Sequence, residues 1–354
     1  MDFTFTEEQL AFSAAIRSYL MVESNADFHR KLWETESGRS PEMWSRFAAQ
    51  GLTGLSVPEE FGGLGYSDVE WTVLAQDLGY FGVADTLTDT AMVSTALLCG
   101  LPKDSVLRRE WLPRIAEGAA RVAIGHPVNP FVCDAHVADL LLLNHENQVH
   151  AVRNGDVELI AETSVDMSRR IYRVKWRPSQ KSMVCDAQLG EKLWNGVLER
   201  GALAATAHML GLTRRMLDLA IDYSADRKQF GKPIGSFQAV KHLLADVAVK
   251  LEFARPVAVR AAYALACEQP RTSVCVSHAK LAATEASWLA AKNCMQVHGA
   301  MGYTWEMDLQ MFMKRAWALA GTWGDRAFHK ARVAAFIFAD SASLGPGATF
   351  QEQE

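Results

Sequence analysis

The 354-residue chain holds only six cysteines, and no two of them form a C-x-x-C pair. Cys99, Cys133, Cys185, Cys267, Cys275 and Cys294 are scattered, which excludes the spacing of a structural zinc site or a disulfide scaffold. They read as reduced thiols that serve mostly as small buried side chains. The ten histidines are equally dispersed, so a metal site has no support. Surplus positive charge is missing too: 36 Lys and Arg against 41 Asp and Glu leave a formal charge of −5. That gives no electrostatic footprint for nucleic acid or an anionic membrane. No apolar run approaches the roughly 18–20 residues that cross a bilayer. The opening Met1-Asp2-Phe3-Thr4 lacks the basic and apolar regions of a secretion signal. H-E-x-x-H, G-x-S-x-G and the Walker A loop are absent. Gly63-Leu64-Gly65 follows no strand, so it is not a dinucleotide fingerprint. What is present is 49% hydrophobic and 22% charged residues, ample for a large core in a chain longer than one average domain. These features predict a soluble, cytoplasmic, globular protein.

Residues 1–120 are written for helices. Thr6-Glu7-Glu8-Gln9 has the form of a capping box, with Phe12, Ile16 and Leu20 following on one face. Ser40-Pro41 and Ser67-Asp68-Val69-Glu70 are further helix starts. Between them, Val57–Gly65 is too rich in glycine to be helical. Further helical stretches cover about Thr90–Cys99 and Asp104–Glu117. Over 121–192 the apolar groups become short and β-branched, and Tyr172–Arg177 alternates strictly. One face of that strand carries Tyr172, Val174 and Trp176; the other carries Arg173, Lys175 and Arg177, read as a solvated face or a phosphate contact. Over 193–340 four long helices are expected, Leu193–Asp226, Ser236–Glu268, Thr272–His298 and Leu309–Ala339, forming an antiparallel bundle. Residues 341–354 are small and polar and read as a disordered tail. The expected fold is mostly α with a small middle β domain.

Three stretches carry more specific wording. They are Val57-Pro-Glu-Glu-Phe-Gly-Gly-Leu-Gly65, Tyr223-Ser-Ala-Asp-Arg-Lys-Gln-Phe-Gly-Lys-Pro-Ile234 followed by Phe237-Gln238, and Gln296-Val-His-Gly-Ala-Met-Gly-Tyr-Thr304. Arg227 lies near the end of one long helix, with Gln229 and Phe230 in the turn that follows; a guanidinium there can hold a pyrophosphate bidentately or cap the helix. Gln296 ends a helix, and Gly299 and Gly302 permit close backbone approach to a ligand or a plain helix C-cap. In order and in wording, these stretches resemble the signatures of the acyl-CoA dehydrogenases over nearly the whole chain, least from about 125 to 190. The resemblance implies that family's fold, with an N-terminal helical domain, a β domain and a C-terminal four-helix bundle. It implies FAD as cofactor, gripped by Arg227, Gln229, Phe230, Gln238, Gln296, Gly299 and Gly302, the arginine side coming from a neighbouring subunit. It also implies an acyl-CoA thioester substrate, dehydrogenated between its α and β carbons, and an electron-transfer flavoprotein or similar acceptor.

The resemblance has gaps. The family's base is usually the Glu of a Y-E-G-T loop, which falls here at Thr322-Trp323-Gly324-Asp325 and puts Trp323 in the Glu position. Trp323 reads either as filling part of the acyl cleft or as a core residue. Other members place the base early in the first bundle helix, where Gly201 stands. Glu199 and Asp325 each lie two residues from an empty seat, a shift of about 200° around a helix. Glu199 reads alternatively as part of a solvated helix start, Asp325 as an N-cap. The family's T-E-P-x-x-G-S-D, which touches the flavin ring, is replaced by Ile124-Gly125-His126-Pro127-Val128-Asn129-Pro130, and its W-I-T-N strand has no counterpart. Some bacterial members, notably those of steroid side-chain catabolism, are heterotetramers in which one chain completes a shared FAD site without supplying the base. The sequence looks like such a partner subunit. A self-sufficient homo-oligomer using Glu199 or Asp325, and a structural protein without flavin, are the other readings.

Overall fold

Helix starts are set by short polar side chains. In this computed structural model, which describes residues 4–84, 86–339 and 345, Gln9 N–H donates to Thr6 Oγ1 at 3.2 Å while Thr6 N–H donates to Gln9 Oε1 at 2.9 Å. That closed capping box begins α1 (Glu7–Glu23). Then come α2 (Ala26–Glu34), α3 (Pro41–Ala49), capped by Ser40, and α4 (Asp68–Tyr80), opened by the Ser67–Glu70 pair. The stretch after Gly82 is less regular. Short α5 (Thr86–Thr88) and α6 (Thr95–Cys99) are joined by a π-helical turn, Asp89–Ser94, ahead of α7 (Val106–Ala116).

The β region holds β1 (Val122–Gly125), β2 (Val132–Cys133), β3 (Leu140–His145), β4 (Gln148–Arg153), β5 (Glu158–Glu162), β6 (Ile171–Lys175) and β7 (Met183–Cys185). After it run α8 (Ala187–Asp226), the hairpin β8 (Lys228–Gln229) and β9 (Lys232–Pro233), then α9 (Gln238–Ala266), α10 (Thr272–His298), α11 (Leu309–Ala320) and α12 (Arg326–Ile337). The expected mostly helical fold with a small β region is what forms. Two expectations need correction. The first bundle helix begins at Ala187, not near Leu193. The expected helix Leu309–Ala339 is divided, because Trp323 and Gly324 take positive φ (58° and 93°) and Asp325 caps a new helix. The expected tail lies outside the described residues apart from Gly345.

The chain sorts into two compact units. The sheet unit comprises Ser24–Trp71 and Val83–Gly201. In it, β1-β3-β4-β7 form one sheet, with β1 parallel to β3, and β2-β6-β5 form an antiparallel second sheet. Ala123, Val132, Leu141, Leu143 and Val152 form a buried cluster, and Tyr172, Val174 and Trp176 pack against it, as the alternation of β6 requires. On the opposite face Arg173 and Lys175 pair with Glu162 and Glu158, both at 2.9 Å, so two of the three basic residues of that row are paired locally.

The bundle unit takes in the described residues up to Glu23, Thr72–Gly82, and the described residues from Ala202 onward. Its packing depends on small residues. Ala279, Ala283, Ala286 and Ala290 repeat at helical spacing along the buried side of α10, and Ala254, Ala258, Ala261 and Ala262 are buried on α9. Where α4 crosses α8, a Cβ on Gly79 would lie 2.1 Å from the His208 carbonyl oxygen, and one on Gly211 1.9 Å from that of Gln76. Only glycine at both positions lets these helix backbones touch. No described helix is long and apolar enough to cross a membrane.

Candidate cofactor-binding site

Arg227 follows directly on α8. Its N–H bonds Tyr223 O at 2.9 Å and its carbonyl accepts from Ile234 N–H at 2.8 Å, so the β8–β9 hairpin is anchored at its root. Phe230 and Gly231 turn that hairpin with φ of 52° and 79°. The guanidinium of Arg227 is exposed and makes no hydrogen bond or ion pair with any described residue. Gln229 and Gln238 are exposed as well, Gln238 opening α9. Phe230 stands 91% exposed, edge-on to Phe237 at 6.1 Å.

Gln296 sits exposed on the last turn of α10, and its carbonyl accepts from Gly299 N–H. Gly299 takes φ 60°, ψ −141°, a conformation essentially restricted to glycine, and open space surrounds its Cα. Gly302 serves packing: a Cβ there would meet Met295 O at 2.9 Å and His298 Cβ at 3.1 Å. Tyr223 and His298, which the sequence reading quoted but did not single out, stack at 4.3 Å and bring the two signatures together within the bundle unit. His298 Nδ1 donates to Cys294 O at 2.7 Å, which leaves Nε2 a buried acceptor with no partner. Burial pushes its pKa down, so the ring stays neutral. The signal for this pair was position, since both residues lie inside the quoted signatures.

The seat of the usual base is closed. Trp323 is 5% exposed, and its carbonyl accepts from His329 Nε2 at 3.0 Å, while Ser277 Oγ donates to His329 Nδ1. Burial pushes His329 down to about 4. Lys280, wholly buried in α10, donates from Nζ to Leu319 O at 2.6 Å and Thr322 O at 2.9 Å. The turn is thus held by a lysine and a histidine that the sequence reading missed; a lone Lys in a small-residue stripe was the available signal. Asp325 accepts from Phe328 N–H at 2.8 Å as the N-cap of α12.

In the sheet unit, Glu199 is 5% exposed, well inside α8, and so is not at a solvated helix start. Its neighbour Arg200 forms a two-pronged pair with Asp68, Nε to Oδ1 at 3.0 Å and Nη2 to Oδ2 at 3.1 Å. Burial raises the Asp68 pKa against the pull of that arginine. Gly201 is buried in the same helix. Where β1 ends, the segment His126–Pro130 folds on itself. Val128 N–H donates to His126 Nδ1 at 3.1 Å and Asn129 N–H to His126 O at 2.9 Å, while Pro127 and Pro130 have no N–H. Burial pushes His126 down to about 4, and its ring meets Trp194 edge-on at 5.7 Å.

Residues 6–119 match the acyl-CoA dehydrogenase N-terminal domain, and residues 190–338 match the acyl-CoA dehydrogenase C-terminal domain. Acyl-CoA dehydrogenase IpdE2 of Mycolicibacterium smegmatis is 32% identical over 336 residues, covering 94% of this chain and 100% of that protein. The chain belongs to the acyl-CoA dehydrogenase family. IpdE2 of Mycobacterium tuberculosis is 29% identical over 88% of this chain and 91% of its own. The fold also superposes on a chain of the ChsE4–ChsE5 complex from Mycobacterium tuberculosis with a TM-score of 0.84, at 21% identity, over 97% of this chain and 100% of that one. The family's members are FAD-dependent oxidoreductases acting on acyl-CoA thioesters. The residues here fit that cofactor unevenly. The unpaired Arg227, the exposed Gln296, the orphaned His298 Nε2 and the open Cα of Gly299 suit its phosphate and ribose end. His126–Pro130, with its donors engaged, suits no ring.

Proposed function

We propose that this chain is the partner subunit of a two-chain acyl-CoA dehydrogenase. It grips the nucleotide end of FAD with Arg227, Gln229, Phe230, Gln238, Gln296, Gly299 and Gly302, while a related chain supplies the carboxylate that removes the α proton of an acyl-CoA thioester. The observation that carries this reading is Trp323: the base seat holds a buried indole on a turn pinned by Lys280 and His329, so no carboxylate can swing into it. When bound, FAD supplies acceptance of the β hydride. The residues of this chain orient the cofactor, Arg227 by its unpaired fork and Gln296 by its exposed amide. Phe230, Phe253 (74% exposed) and Trp288 (55%), on the hairpin, α9 and α10, give the bundle unit uncovered apolar surface of the kind a partner chain buries. On this reading the protein is a cytoplasmic heterotetramer of the steroid-catabolic type with an electron-transfer flavoprotein as acceptor; that a chain of the two-component ChsE4–ChsE5 complex shares its fold is in keeping with a two-chain assembly.

The test is to purify the chain alone and together with the related chain encoded nearby, and to follow acyl-CoA-dependent bleaching of the flavin. The complex should bleach at least about 10² times faster, since loss of a general base costs about 10²–10⁴ in rate. Yellow, fully active protein from this chain alone sinks the proposal, and a colourless complex favours a structural role without flavin. A second reading rests on Glu199, a buried carboxylate on α8. If the lone chain is active and Glu199→Gln removes turnover while sparing flavin, Glu199 is the base.

A further inference from the structure

In the sheet unit, a cavity of about 50 Å³ lies among α2, α3, the start of α5 and the residue that leads into β1. One water needs about 10–15 Å³, so the space takes about three to five waters or one organic molecule of as many heavy atoms. Its walls are Leu32, Trp33, Met43, Trp44, Phe47 and Leu87, an apolar and aromatic lining. Two guanidiniums also line it. Arg39 is fully engaged: its Nε reaches Asp134 Oδ2 at 3.0 Å and Thr86 Oγ1 at 2.9 Å, and its Nη1 reaches Gly38 O at 2.6 Å.

Arg121 is different. Its guanidinium carbon lies 4.7 Å above the Trp44 ring, and its side chain makes no hydrogen bond with any described residue. Asp139, its nearby countercharge, bonds the Arg121 backbone N–H at 2.8 Å and not the guanidinium. Burial pulls the Arg121 pKa down, yet an arginine remains charged at neutral pH. The wall residue Trp33 carries a buried indole N–H that also lacks a partner. A half-buried cation with free donors, backed by an aromatic ring, is stabilised by a planar anion that can accept two parallel hydrogen bonds.

We propose that this cavity binds a short-chain organic carboxylate, one anionic group on an apolar stub of propionate size, with Arg121 holding the carboxylate and the Trp44, Met43 and Phe47 side enclosing the stub. A dianionic phosphate is disfavoured, because only one guanidinium is available and most of the remaining wall is apolar, with His29, Ser40, Thr86 and Ser168 as its polar members besides the arginines. The site goes beyond the proposed function. Arg121 precedes β1, whereas His126–Pro130, which stands where the family's ring-contacting stretch belongs, follows it; the four residues of β1 span about 13 Å.

The test is calorimetric titration of the purified full chain with sodium propionate at constant ionic strength, with propionamide as the neutral counterpart. Propionate should bind saturably at one site, and propionamide at least about tenfold more weakly. Arg121→Gln should lower propionate affinity about tenfold or more and leave propionamide unchanged, while Arg121→Lys retains part of the preference. Met43→Trp, which fills the space, should remove binding of both and keeps the test decisive if an Arg121 variant fails to fold. Absence of saturable propionate binding to the wild-type chain overturns the proposal, as does equal affinity in Arg121→Gln.

Discussion

The two signatures proposed to grip a nucleotide and the two segments expected to serve the flavin ring and the base have opposite hydrogen-bonding economies. Around Arg227 and Gln296 the polar side chains are exposed and unengaged, and His298 keeps an unused acceptor. Around Trp323 and His126 the polar groups face inward and satisfy one another, through Lys280, His329 and the turn at Val128. A group without an internal partner is available to a ligand; one that completes a turn is available only if the turn breaks. The contrast teaches that the positions expected for the base and the ring contacts are occupied by structural polar networks.

Three changes probe that contrast. The largest effect is expected at Lys280→Met, which leaves the Leu319 and Thr322 carbonyls buried without a donor. Unfolding stability should fall by about 3 kcal/mol, read from urea midpoints. A loss below about 0.5 kcal/mol means the turn does not depend on the lysine. Next is acid sensitivity. His126 and His329 are both held neutral in the fold with pKa values of about 4, whereas in the unfolded chain they charge near 6.5. The unfolded state therefore binds more protons below 6.5, and the stability present above that pH is lost as pH falls towards 4. The two together should cost about 2 kcal/mol between pH 6.5 and 5.5, and the pair His126→Gln with His329→Gln should flatten the curve. The smallest effect on the fold belongs to Arg227→Gln, which should leave stability within about 0.5 kcal/mol while weakening FAD binding to the two-chain complex about tenfold. A variant that unfolds instead marks Arg227 as structural.

Local signals were legible wherever the cause was local. The caps at Thr6, Ser40 and Ser67 lie within three residues of the N–H groups they satisfy, and the alternation of Tyr172, Val174 and Trp176 needs only the period of a strand. The failures came from distant partners. The split between α11 and α12 rests on a positive φ at Trp323, a residue type that rarely adopts it, held by Lys280 more than three dozen residues earlier. Glu199 was misplaced because α8 starts six residues sooner than the apolar pattern suggested. Arg227, Gln296 and Gly299 stood out in the sequence as site candidates through their signatures, but the Tyr223–His298 stack that brings those signatures together is tertiary.

The passage of α4 from one unit into the other has a practical consequence. Asp68–Trp71 lies in the sheet unit and Thr72–Tyr80 in the bundle unit, and α8 passes between the units again near Gly201. Neither unit is a continuous piece of chain, so no single protease cut or truncation releases either one intact. Cleavage after Gly82, for example, separates Gln76 and Gly79 from Gly211 and His208, contacts that only an unbroken polypeptide delivers at high local concentration. Fragments cut at the edges of the two matched domains should therefore fold poorly when expressed separately and recover only when produced together.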